Sequence, residues 1–130
     1  MADLRFENKN NQKKTRSVFA SGVIGTSATM AETLFTLPAA SIVTAVYAVV
    51  LTASGTSTDT VDVKVGSTVV ANEIVVGTTG TKTGSVTAAY FETGGVVTVV
   101  AGADAPDDVG EIKIVVEYIE TELTNGQYTD

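Results

Sequence analysis

Between Ile42 and Val100 the chain is built mainly from valine and threonine, with Lys, Glu, Gln and Leu scarce. Branching at Cβ restricts χ1 in a helix and suits the pleated, half-buried surface of a sheet, so this stretch commits the chain to strands. Hydrophobic residues make up 44% of the sequence but aromatic ones only 6%, and the core must therefore come from Val, Ile, Leu and Ala. A length of 130 residues is that of a single domain able to bury such a core without a disulfide or metal staple.

The pattern divides the chain into short strands. Val18 to Ile24 reads as the first and Ala31 to Leu37 as the second, although Glu32, Leu34 and Leu37 would also suit a helical turn; Pro38 ends it either way. Ile42 to Ala53 is the longest apolar run. Val43, Tyr47, Val49 and Leu51 fall on one face and Ile42, Val46, Ala48 and Val50 on the other, which predicts a strand covered on both sides or lying at a subunit contact. Thr60 to Val65 alternates strictly, with Asp62 and Lys64 outward, and Gly66-Ser67 predicts a tight hairpin into Thr68–Ala71. Glu73 to Val76, Ser85 to Phe91, Val96 to Ala101 and Glu111 to Glu120 supply the rest. About eight short strands with turn signals roughly every ten residues predict an all-β, antiparallel, jelly-roll-like β-sandwich. The expected organisation is a flexible basic N-terminal arm at 1–16, the sandwich at 17–121 and a polar tail at 122–130.

Charge separates the arm from the body. Residues 1–16 hold Arg5, Lys9, Lys13, Lys14 and Arg16 against two acids, whereas 17–130 hold three basic and thirteen acidic side chains. An acidic body disfavours nucleic acid, whose affinity comes from clustered Lys and Arg on phosphates. The five basic residues of the arm are the candidate partner-binding set, able to order on an acidic protein surface. No secretory h-region is present at the N-terminus, and the run from Leu37 to Ala53 is too short and too rich in β-branched residues for a membrane-crossing helix.

Cys, His and Trp are absent. Triads built on His or Cys are impossible, thiolate and imidazole metal sites are excluded, and no cofactor is called for. Among the acids, Asp59 and Asp62 are the couple that a glycosidase would need, with nothing to set them apart from surface carboxylates. Asp104, Asp107, Asp108 and Glu111 are weak calcium candidates, because turns are rich in Asp, Pro and Gly for conformational reasons alone. Gly77 to Gly84 imitates a phosphate-binding loop with Lys82 and Thr83. Thr81, however, stands where the second glycine belongs, so an exposed strand connection is expected instead.

The strands rich in Val, Thr, Gly and Ala, the turn Asp62-Val63-Lys64-Val65-Gly66 and the closing Val109-Gly110-Glu111-Ile112-Lys113-Ile114-Val115-Val116-Glu117-Tyr118 resemble small virion structural proteins of tailed bacteriophages, including capsid decoration or cement proteins. That resemblance implies a non-enzymatic homo-oligomer, often a trimer. It would be made in the host cytoplasm and attached to the major capsid protein or other virion proteins on the capsid exterior. A neck, tail or fibre component is the alternative within the virion. Outside it stands a carbohydrate-binding sandwich, with Tyr47, Tyr90 and Phe91 as stacking rings.

Overall fold

The computed structural model describes residues 16–87 and 89–121. They form eleven strands: β1 (Arg16–Ala20), β2 (Ile24–Gly25), β3 (Ala31–Leu37), β4 (Ser41–Thr52), β5 (Thr60–Val65), β6 (Thr68–Val75), β7 (Gly80–Thr83), β8 (Ser85–Val86), β9 (Tyr90–Phe91), β10 (Gly95–Ala101) and β11 (Glu111–Glu120). One sheet has the order β1-β11-β4-β7, with β2 also on β11 and β9 also on β4; the other has the order β3-β10-β5-β6-β8. Every pairing is antiparallel, and the two sheets stack as the sandwich the sequence predicts.

The core is aliphatic. Ile112, Ile114 and Val116 of β11 and Val43, Val46, Ala48 and Val50 of β4 are buried against Val61, Val63 and Val65 of β5, Val70, Ala71 and Ile74 of β6, and Val97 and Val99 of β10. The alternation of β5 is as read, with its valines enclosed and Asp62 and Lys64 only partly covered. Gly66 turns with φ 59° between paired Val65 and Thr68, a positive φ that glycine adopts freely. Among the described residues three aromatic rings stack together. Phe19 stacks on Phe35 with centroids 4.4 Å apart, and Phe35 lies 5.6 Å from Tyr118.

Several local features depart from the sequence reading. The strand predicted at Ser85 to Phe91 divides into β8, paired to β6 in one sheet, and β9, paired to β4 in the other. Strict alternation puts Val43 with Tyr47, but a bulge makes Thr44 the extra residue between the rungs Tyr118↔Val43 and Glu117↔Ala45, which turns Val43 inward. The Thr44 hydroxyl caps this bulge by donating to the Glu117 carbonyl at 3.2 Å. The predicted break at Asn72 is a second bulge within one continuous β6; Glu73 has φ 58°, and its amide donates to Asp62 Oδ1 at 2.7 Å. The first predicted strand divides at Ser21-Gly22-Val23 into β1 and β2. Finally, the connection expected at Gly77 to Gly84 contains β7, paired to β4 through Tyr47↔Thr83 and Val50↔Gly80. Nothing apolar announces β7, because backbone pairing rather than burial holds it.

Truncating Ile114 to Ala at the centre of this core is expected to cost about 2–5 kcal/mol. Lys113→Ala, one residue away on the opposite face, should change stability by less than ~0.5 kcal/mol. Urea unfolding of the two variants checks both; equal losses would contradict the register of β11.

Candidate functional site

The outer face of the β1-β11-β4-β7 sheet is the surface best suited to contact another protein. Residues paired across strands share a face, so the register can be read as rungs. Ala20, Val115, Tyr47 and Thr83 make one rung; Arg16, Ile119, Ile42 and Tyr90 make another, with Val18, Glu117 and Ala45 between them. Val18 is 59% exposed, Tyr90 50% and Leu51 47%, while Ile42, Tyr47, Val49, Val115 and Ile119 are half-buried by their neighbours. The run Ile42–Ala53 is expected to be covered on both sides or to lie at a subunit contact; among the described residues it is covered on one side. The outer face of the other sheet is more polar, with Asp62, Lys64, Thr36 and Thr98 among its valines. A contiguous apolar patch is what marks a surface for association.

Of the basic candidates, Arg5, Lys9, Lys13 and Lys14 lie outside the described residues. Arg16 lies in β1, and its guanidinium reaches Glu117 Oε1 at 3.3 Å on this face. An exposed pair of this kind contributes about 0–1 kcal/mol to stability.

The acidic loop is held by its backbone. Thr26 Oγ1 donates to the Asp107 carbonyl at 2.6 Å and accepts from the Gly110 amide at 3.0 Å, while the Thr60 amide donates to the Asp104 carbonyl at 2.8 Å. The side chains of Asp104, Asp107, Asp108 and Glu111 are exposed, and Glu111 accepts from the Thr52 hydroxyl at 3.3 Å. Among the described residues no three acidic side chains converge as ligands to a cation.

Asp59 and Asp62 each serve the backbone. Asp62 fixes the Glu73 bulge, and buried Asp59 accepts from the Ser54 hydroxyl at 2.6 Å and the Thr56 amide at 3.1 Å. The Ser54 hydroxyl foremost, helped by the Thr56 and Asp107 amides, holds Asp59 below the ordinary carboxylate value against the opposing effect of burial. Ser54 and Thr56 lie in the same loop as Asp59, while the Asp107 amide reaches it from a distant loop that sequence reading could not bring to it. Lys82 Nζ donates to Thr78 Oγ1 at 2.7 Å and lies on a strand, so the Gly77–Gly84 stretch lacks the helix that a phosphate loop requires. Tyr90 faces outward, Phe91 packs against the core, and Tyr47 sits five positions along β4 from the partner of Tyr90.

No family model matches the sequence, and no curated protein matches it. Two solved structures do match in three dimensions. A chain of the acidic stable capsid structure of Helicobacter pylori bacteriophage KHP30 aligns over 85% of this chain and 91% of its own, with TM-score 0.61 and 15% identity. A chain of the cyanophage Pam1 capsid asymmetric unit aligns over 82% of this chain and 85% of its own, with TM-score 0.61 and 21% identity. The chain shares its fold with chains of two phage capsids. At such identities the likeness is one of fold, and it runs in the same direction as the resemblance to virion proteins carried by the strand sequences.

Because Asp59 ionises more readily folded than unfolded, it stabilises the native state above its unfolded value, and that contribution is lost as pH falls through the folded one. Carboxyl NMR should show Asp59 titrating below 3.8, and Ser54→Ala should raise the midpoint. A midpoint indifferent to Ser54→Ala would contradict the leading part given to that hydroxyl.

Proposed function

We propose that this protein is a non-enzymatic virion structural protein, a decoration or cement protein that binds the outer surface of a phage head and stabilises it. The observation that carries this reading is the fold shared, over most of both chains, with chains of two phage capsids. The apolar outer sheet face supports it, because attachment of this kind needs a flat adhesive surface rather than a cleft.

An estimate of area supports a role for the basic segment as well. Four strands ~4.8 Å apart, with about six residues each at ~3.3 Å, offer roughly 400 Å² in projection. A stable interface covers about 800 Å² per partner, so the sheet face supplies about half. Arg5, Lys9, Lys13 and Lys14, with Arg16 at the edge of the patch, are the groups that would supply the rest against an acidic capsid surface. Their attraction would act mainly on the rate of encounter and would weaken as salt rises. Assembly as a homo-oligomer, often a trimer in proteins of this type, would add the contacts of several copies.

Heads lacking the protein are the reagent that tests this. Purified protein should occupy them and raise their melting temperature. Lys9→Glu, Lys13→Glu and Lys14→Glu together should lower occupancy about tenfold or more at low ionic strength, and Val115→Asp should lower it at any salt concentration. Full occupancy by both variants would sink the proposed surface, and binding to tails in place of heads would move the protein elsewhere in the particle.

A further inference from the structure

The two long sides of the sandwich are finished differently. On one side the chain leaves β7, turns through Gly84 and enters β8, so a single stretch laces the sheets together. The Gly84 amide donates to the Val46 carbonyl at 2.7 Å, and a Cβ at Gly84 would meet that carbonyl, Ala71 and Ile74 at 3.1 Å. On the opposite side β1 and β2 border one sheet and β3 borders the other, and no described segment crosses between them. The Phe19–Phe35 stack closes part of that gap. Beyond it a groove of about 320 Å³ runs between Ala20–Ile24 and Glu32–Leu34.

This groove is an uncovered piece of the core. Ile24 and Leu34 pack against the buried cluster but stay partly open, and Val23 is 54% exposed. Glu32 is paired with buried Val99 and so stands on the inward-facing side of its sheet, yet it is exposed because nothing opposite covers it. Among the described residues it is the groove's only charged lining residue. The free edge of β3 adds unpaired backbone groups, a template for one more strand.

Fifteen residues precede Arg16, and their pattern matches that vacancy. Glu7 to Thr15 are all polar or charged, but Leu4 and Phe6 are two apart, the strand period, with Arg5 between them. Nine polar residues can span up to ~30 Å, ample to double back along the five residues of β1, and so short a tether holds the segment at roughly millimolar effective concentration. We propose that Leu4-Arg5-Phe6 folds back antiparallel to β1 and docks in this groove as a further short strand. Leu4 and Phe6 enter it, Arg5 stays at the mouth beside Glu32, and Lys9, Lys13 and Lys14 are left on the surface in the loop that results.

Hydrogen exchange followed by NMR on the isolated full-length chain tests this without any capsid, so its failure would leave the proposed function standing. In the double variant Leu4→Asp/Phe6→Asp the amides of Val23 and Glu32–Leu34 should exchange about tenfold faster or more than in the unaltered chain. Nuclear Overhauser contacts from the Phe6 ring to Leu34 should be present in the unaltered chain. Equal exchange with no such contacts overturns the proposal. Protection that appears only when the protein sits on heads overturns it too, in favour of a strand from the capsid.

Discussion

The pairing of β11 with β4 is the constraint on which the other strands depend. It runs from Glu111↔Thr52 to Glu120↔Ser41 and joins segments some sixty to eighty residues apart in sequence. Its register is fixed by what each face must hold. Slipping β11 by one residue would bring Lys113 and Glu117 into the core and carry Ile112, Ile114 and Val116 out, an exchange of buried aliphatic surface for unpaired buried charge. Once this pair is set, β1 and β2 have a place on β11, and β7 and β9 have one on β4. Because the pairing is so non-local, its loop-closure entropy must be met before most of the sheet can form, which makes for a slow-folding topology.

Much of this architecture could be read from residue pattern, and the exceptions share a cause. The alternation in Thr60–Val65 and Glu111–Glu120, and the glycine turn between β5 and β6, express themselves locally and were legible. The bulges at Thr44 and Glu73 were not, since each is fixed by a group on another strand, the Glu117 carbonyl in one case and the Asp62 carboxylate in the other. The strand Gly80–Thr83 has no apolar residue to betray it. For the candidate surface, the second apolar face of β4 was legible as a face either covered or lying at a subunit contact, and the described residues leave it open. The groove between Ile24 and Leu34 belongs to strand order alone, and no local pattern encodes it.

The polar groups fix loop geometry. Asp62 and Thr26 direct their hydrogen bonds to backbone groups of turns and bulges, Asp59 accepts from the Ser54 hydroxyl and the Thr56 amide, and the Asp-rich loop is pinned through its carbonyls rather than its carboxylates. Such groups give the loops a defined geometry. The two broad faces of the sandwich differ, one being more apolar, with the Arg16–Glu117 pair set among its aliphatic residues, the other more polar, so that the domain has a directional surface character despite a symmetrical layering of sheets.

The first rung of β1, Arg16 against Ile119, lies next to the last residues of β11, so the described segment starts and stops at one pole of the sandwich. Tension applied to those two points would peel β1 from β11 rung by rung, each hydrogen bond bearing the load alone, whereas traction spread over the sheet face is shared by four strands at once.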